Sequence, residues 1–500
     1  MSIGIGTRSL LLTQSLVGMR SQMADLQRQF ATGKRSDDYA GIGLNRGLTV
    51  SLRSQLAATA SYGDTITNLN VRIDLAESVL SRIGEIGMET KNSVAEMTSE
   101  EGRINAQGSA KSALGEMLGL LNSRAGDRYI FSGLAADTPS VESLDMIMDG
   151  DAAHAGFSQI VSERLQADMG SSGLGRLVIS SPAPGSVSIA EDVAGSVFGF
   201  KLNAISSTLS GSTVSGPAAT PPAAPEMSID LGGVNPASGE KVSFTFDLPD
   251  GSKETITLTA TTTVPPGAGE FAIGQDSATT ATNLQTKLQS SIGTLARTSL
   301  TAASALAAAD NFFNTDAANP PQRVDGPPFD TATGLVAGTA SNTVMWYTGE
   351  AGSQPARSTA AARIDQSITV NYGLRANEEG IRWQLQNVAA LAAISMAPGD
   401  ADSEARASAM ASRLRTALDV PQGTQSTADI RTELAGAQKS IDSAKQRHQY
   451  TNATLSDFLE GIEGISNEEV AAKMLALQTS LEASMQTTAR LFQMSILNYM

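Results

Sequence analysis

Apolar side chains recur at alternating steps of four and three at both ends of this chain. Leu12, Leu16, Met19, Met23, Leu26 and Phe30 form one stripe; Val470, Met474, Leu477, Leu481, Thr488 and Leu491 form a near-matching one. The spacing predicts two long helices, each with a narrow apolar seam of the coiled-coil kind. Such a seam stays wet until another helix covers it, so the two ends are expected to pair with each other and with further copies of the chain. The methionines suit a surface that meets slightly different neighbours.

Between the ends the pattern changes twice. Residues 7–32 predict a first helix of about 40 Å, stopped by Gly33. The stretch 34–41 is a polar turn in which Asp37 or Asp38 is the candidate cap of the next helix. That second helix is expected from Leu44 to about Met97, with Tyr62, Ile66, Leu69, Ile73, Ala76, Leu80 and Ile83 as its buried seam. Its length of roughly 75–80 Å marks a rod or a bundle member rather than part of a compact catalytic domain. A third helix begins near Glu100 and Glu101, carries Ile104, Leu114, Met117, Leu118 and Leu121, and is expected to end at Gly126. Tyr129-Ile130-Phe131-Ser132-Gly133 reads as a short extended piece.

After about residue 135, Gly, Ser, Thr, Ala and Pro become frequent and helical periodicity fades. Residues 211–225 read as a linker. Val242, Phe244, Phe246 and Leu248 alternate with polar residues, Pro249-Asp250-Gly251 signals a turn, and residues 255–258 alternate again, which predicts a β-hairpin. Leu284, Leu288, Ile292 and Leu295 predict a short helix. Helical faces return after Gly373: first Ile381, Leu385, Val388, Leu391 and Ile394, then, beyond a Pro398-Gly399-Asp400 break, Ile430, Leu434, Ala437, Ile441, Tyr450, Leu455, Phe458 and Ile462. Ser466, followed by Glu468 and Glu469, is the expected N-cap of a last helix of about 45 Å.

The expected fold class is therefore mainly α with inserted β-rich (α+β) domains. Terminal coiled-coil helices and a long helical rod carry a variable middle that faces solvent. The expected segments are 1–43 (N-terminal coiled-coil helix and turn), 44–138 (N-terminal rod), 139–362 (insert, with a linker near 211–226), 363–465 (C-terminal rod) and 466–500 (C-terminal coiled-coil helix).

Composition narrows the chemistry. A formal net charge of −16 over 500 residues argues against nucleic acid or anionic lipid as the main partner, since both favour a basic face. There is no cysteine, hence no disulfide framework and no thiolate metal site. Two histidines, His154 and His448, leave little for imidazole chemistry, and nothing in the chain resembles a Ser/His/Asp or Cys/His set. Aromatics make up only 4%, which favours long helices packed through small residues over a large enzyme core. No apolar run reaches the length of a membrane span, and Leu10-Leu11-Leu12 is too short for a secretory core, so if the protein leaves the cell a route without a cleaved signal peptide is expected. Gly41-Ile42-Gly43-Leu44-Asn45-Arg46-Gly47 has the wrong spacing for a dinucleotide loop and no preceding strand; it reads as a tight lead-in to the second helix. Asp149, Asp151 and His154 are sparse as a metal set and read as a solvated turn. No catalytic, cofactor or metal residue is assigned, and the chain is not read as an enzyme.

The stretch from Gln29-Phe30-Ala31-Thr32-Gly33-Lys34-Arg35-Ser36-Asp37-Asp38-Tyr39-Ala40-Gly41 resembles the turn after the first helix of bacterial flagellins. The order of helix, turn, long helix, variable middle, helix and amphipathic terminal helix is similar to flagellins and to the related hook–filament junction protein, over about residues 1–135 and 365–500. Asp127-Arg128-Tyr129-Ile130-Phe131-Ser132-Gly133 and the ending Ser495-Ile496-Leu497-Asn498-Tyr499-Met500 resemble segments of the junction protein; length and the large insert resemble filament flagellins. The resemblance implies a structural, non-enzymatic subunit of an extracellular filament for swimming motility. Such a subunit passes unfolded through a type III export apparatus and self-assembles with copies of itself. Its terminal helices are disordered before assembly and afterwards pack around a central channel. The further partners implied are hook-junction and cap proteins and a flagellar export chaperone, with no nucleic acid, cofactor or membrane insertion. The segment at 80–96, which carries an innate-receptor epitope in many flagellins, departs here from that pattern apart from Arg82. The other readings are a junction adaptor, an extracellular coiled-coil adhesin, and an enzyme or adhesin activity housed in residues 139–362.

Overall fold

A computed structural model describes the backbone of residues 3–218, 223–315 and 319–497, and their side chains except 3–9, 491, 492 and 494–497. The chain is an α+β mix, about 53% helical, with small and mostly antiparallel sheets. Its helices are α1 (Ile3–Thr32), α2 (Arg46–Ser93), α3 (Glu100–Leu121), α4 (Leu144–Asp149), α5 (Phe157–Met169), α6 (Ser277–Leu295), α7 (Thr301–Phe313), α8 (Glu379–Ala393), α9 (Ser403–Ala417), α10 (Thr427–Glu463) and α11 (Asn467–Leu497). Among the described residues no helix is long and apolar enough to cross a membrane.

Two compact units divide the chain. The first takes the described residues of Met1–Leu69, Arg363–Val370 and Lys439–Met500; the second takes Asn70–Ala362 and Asn371–Gln438. In the first unit α1 lies against α11. The expected stop at Gly33 is present: its φ of +66° is the left-handed conformation that glycine adopts without a side-chain penalty. Neither Asp37 nor Asp38 caps α2. Asp38 Oδ1 instead accepts from Gly41 N (2.9 Å) and Ser36 Oγ (3.0 Å), and Asp37 pairs with Arg28 at 2.8 Å. A short 3-10 turn over Gly43–Asn45 leads into α2, so the acids are spent closing the loop before the helix begins.

The second unit holds two four-stranded sheets. One has the order Leu177–Ser180, Ser186–Glu191, Glu226–Asp230, Thr213–Ala218, all antiparallel. The other runs Glu270–Ala272, Lys253–Thr261, Lys241–Asp247, Lys201–Ser207, with only its first pair parallel. The expected hairpin is the pair Lys241–Asp247 and Lys253–Thr261, with Phe244 opposite Ile256. Its inward residues Val242, Phe244 and Phe246 join Ile189, Ile229, Leu258 and Phe271, and the Leu284, Leu288 and Ile292 face of α6, in one apolar core. Asp276 caps α6 by accepting from Thr279 N at 2.8 Å. After a single π turn over Ala296–Leu300 the chain continues into α7, whose alanines let it pack closely on both α5 and α8. A cluster of Phe157, Phe312, Phe313 and Trp346 stands beside it, with ring centroids 5.0–5.6 Å apart.

Two expectations are corrected here. Residues 211–225 are not simply a linker: Thr213–Ala218 is an edge strand hydrogen-bonded to Glu226–Asp230, with the ladder broken between Ser215 and Ala218. Every residue of that strand is exposed, so it carries no alternation to read, and Pro217 is tolerated because it lies at an edge. Residues 219–222 lie outside the described residues. The third helix ends at Leu121 rather than at Gly126. Gly126 (φ +66°) and Asp127 form the two-residue turn between Arg124–Ala125 and Arg128–Tyr129. Helices α4, α5 and α7 lie in the region expected to be β-rich and have no counterpart in the sequence pattern.

Turn and cap carboxylates set the response to acid. Backbone N–H groups are the main reason that Asp38 (from Gly41), Asp151 (from Ala153), Asp276 (from Thr279) and Asp400 (from Asp402) lie below the usual carboxylate range. For Glu240 and Asp429 the leading cause is a serine hydroxyl, Ser210 and Ser426 respectively. A carboxylate whose folded pKa is depressed contributes stability that is present above its unfolded value, 3.8 for Asp and 4.5 for Glu, and lost as pH falls through the folded value. Glu378 and Asp310, raised chiefly by burial, act in the opposite sense, since their stabilising protonated form is lost as pH rises. The depressed set is larger, so melting temperature is expected to fall on acidification from about pH 5 to about pH 3. A calorimetric pH series that is flat or rises over that range would contradict this.

Candidate functional site

The first unit presents apolar surface at its helices, and the terminal seams are its centre. Along α1, Leu12, Leu16, Met19, Met23 and Leu26 are half-buried while most residues between them are exposed; Phe30 is 48% exposed. Along α11, Val470 is fully buried, and Met474, Leu477, Leu481 and Thr488 are half-buried. The side chain of Leu491 lies outside the described residues. With α1 against α11, these seam residues are largely covered but keep part of their area open. Met485, on the α11 seam, is exposed, and outside the seams so are Leu10 (71% exposed), Val17 and Leu475 (67%). Leu44, Leu48, Tyr450 and Phe458 add exposed apolar area from α10 and from the approach and first turn of α2. Isolated exposed leucines need no explanation; these residues are exposed apolar area spread over the helices of the first unit.

A polar clasp fixes the two turns beneath these helices. Ile465 N donates to Gly33 O (3.0 Å) and Arg35 N to Glu463 O (2.8 Å), with a β-bridge between Lys34 and Gly464. The Arg35 side chain adds a bond to Gly464 O at 2.7 Å. Arg53 reaches Glu463 at 2.7 Å, and that carboxylate is 8% exposed. The pairing of Arg53 with Glu463 raises the arginine's pKa. Ser466 caps α11 as expected by accepting from Glu469 N (3.1 Å), and the Glu469–Lys473 pair (2.6 Å) lowers the carboxylate's pKa. The turn residues are visible in the sequence; the clasp is not, because its partners lie far apart in the chain.

The rod-core residues are also placed. Tyr62 is half-buried in the first unit, stacked on His448 with centroids 5.7 Å apart, and Ile66 and Leu69 are buried. Ile73, Leu80 and Ile83 are buried in the second unit. There Gly87 of α2 lies against the Gln384 amide of α8, which would have to shift to admit a methyl group. Arg82 is bound by Glu116 (2.7 Å), Glu89 (2.8 Å) and Glu85 (3.4 Å), and the hydrogen bonds to Glu116 first, then Glu89, raise its pKa. The Tyr129–Gly133 piece is a splice: Phe131 is fully buried, Ala376 N donates to Phe131 O (2.8 Å), Gly133 N to Leu374 O (3.0 Å), and Glu350 N to Ser132 O (3.0 Å).

The remaining candidate chemistry resolves into structure. Asp151 closes its own loop by accepting from Ala153 N and His154 N at 2.8 and 2.7 Å, and His154 Nδ1 lies 2.8 Å from it. Among the described residues no three His, Asp or Glu side chains gather as a metal set. No family model matches the chain, and none of the curated proteins compared with it is significantly similar.

Proposed function

We propose that this chain is the repeating subunit of an extracellular flagellar filament, and that its terminal seams are the surface through which copies assemble. The observation that carries the reading is the partial exposure of both seams: most of their residues keep part of their area open to solvent although α1 lies against α11. Covering it stabilises at ~25 cal/mol per Å² of apolar area. A contact between unlike patches that does not close into a ring propagates as a helical array. In this reading the terminal helices form coiled-coil-like core tubes, α2, α3 and α10 serve as the rod, and the sheets of residues 139–362 face solvent. The resemblance of residues 29–41 to the flagellin turn supports the assignment, as does the clasp that those residues make with 463–465. Export through a type III apparatus without a cleaved signal belongs to the same proposal, as do an export chaperone and hook-junction and cap proteins as partners.

A second reading, an adaptor at the hook–filament junction, is favoured by the Tyr129-Ile130-Phe131-Ser132-Gly133 splice. One experiment separates the two. Purified protein is seeded with short filament fragments and viewed by electron microscopy. Long filaments that fail to form when residues 1–32 or 467–500 are deleted are the expected result. Full-length protein that stays monomeric yet caps hook ends would establish the adaptor instead, and protein that does neither would remove both readings.

A further inference from the structure

Three helices of the second unit turn polar ridges toward one cleft of about 1050 Å³. This lies at the upper end of the roughly 300–1,000 Å³ typical of small-molecule sites. Trp383, Gln386 and Asn387 stand at i, i+3 and i+4 on α8, a helix whose other positions include the buried Leu385, Val388 and Ala389. Asp310 and Asn314 stand at i and i+4 across it on α7 and just beyond its end, and Arg413 on α9 completes the wall with the turn of the Lys241–Thr261 hairpin.

The chemistry of the lining is selective. Trp383 is half-buried, its indole nitrogen donating to Ala417 O at 2.5 Å, which pins the ring at the cleft wall. Gln386 is only 6% exposed as a residue, but its unpaired amide atoms reach solvent rather than being sealed in, and the unpaired carboxylate of Asp310 is exposed. Both groups are open to a ligand, whose hydroxyls would replace water on them. The cations of the lining are already committed: Arg413 to Asp250 (2.8 Å), Ser252 (3.0 Å) and Glu254 (3.3 Å), Arg164 to Asp168 (2.8 Å), and Lys253 to Asp247 (3.4 Å). Each cation that lines the cleft has a partner, while Arg382 stands beside Asp310 and offsets its charge. Large apolar side chains in the lining are few, Leu306 and Leu335 besides the indole, so an acyl chain would be poorly covered.

A ligand that fits has an apolar C–H face for the indole, many hydroxyls for planar amide and carboxylate groups, and no charge. The geometry points to a saccharide-binding cleft between α7, α8 and α9, with Trp383 as the platform for a sugar ring and Gln386 and Asp310 as its hydrogen-bonding partners. This site is separate from the terminal seams, so it stands or falls independently of the assembly reading.

The test uses the full-length protein labelled with nitrogen-15. The chain has two tryptophans, and Trp346 is fully buried with its indole bonded to Phe313 O, so its NMR signal serves as an internal reference. Maltotriose, cellotriose, chitotriose and mannotriose are titrated separately. The expected result is a saturable shift of the Trp383 indole signal with at least one of them, the Trp346 signal staying in place. Affinity is expected to weaken roughly tenfold in Gln386→Ala and again in Asp310→Asn, the loss of about one hydrogen bond in each. An unmoved Trp346 signal certifies that each variant is folded. No saturable shift with any of the four sugars, or equal affinity in both variants and the parent, would overturn the proposal.

Discussion

In the proposed assembly, replacing Leu16, Met23 and Leu477 together by alanine is expected to raise the concentration needed for filament growth by roughly two to three orders of magnitude. The three side chains are half-buried in the single chain, so part of their apolar area is covered only when copies associate. Truncating a fully buried Leu or Met costs about 2–5 kcal/mol. At most about a third of their area remains open in the single chain, so three sites lose around 3–4 kcal/mol per subunit on assembly, and each 1.4 kcal/mol is about tenfold in an equilibrium constant. Sedimentation of polymer from soluble protein across a concentration series measures the shift, and circular dichroism checks that helix content survives. An unchanged critical concentration would place the assembly surface elsewhere.

The counterpart is Phe246→Ala, which is expected to destabilise the sheet region by about 3–5 kcal/mol and leave assembly nearly untouched. Phe246 is fully buried, lies opposite Leu202 and Glu254 in the neighbouring strands, and packs its ring 5.5 Å from that of Phe200. Its loss removes both the transfer term and the ring pair, and the strands around it leave little freedom to collapse onto the cavity. Calorimetry should show a lower transition for this region, while the critical concentration moves by no more than about threefold. A variant whose filaments fail in parallel with its melting would mean that the sheets take part in assembly.

These two sites also show where the sequence can be read. Phe246 alternates with polar neighbours in a short strand beside a Pro-Asp-Gly turn, and Leu16 sits on a four–three beat that only a helix produces. Both signals are local. So are Gly33 at the end of α1 and Ser466 at the start of α11, where backbone geometry selects the residue type. The strand Thr213–Ala218 is illegible because it is wholly exposed and its order comes from a neighbouring strand. Helix α7 escapes the pattern because a run of alanines has little periodicity of its own, although alanine is the strongest helix former and is what close packing on α5 and α8 requires. The clasp of Gly33 and Arg35 with 463–465, and the gathering of Trp383 with Asp310, depend on residues distant in the chain. One sequence carries no signal for such pairs.

The clasp has a consequence in time. Arg35 and Gly464 are 429 positions apart, so joining them closes nearly the whole chain into a loop, at an entropic cost of about 5 kcal/mol. Under the proposed end-first export, the clasp cannot close until both Arg35 and Gly464 have emerged. Whichever terminus leads, its half of the latch waits until nearly the whole chain is out. The clasp would then act as a clock for arrival, since a passenger truncated before either turn could never set it.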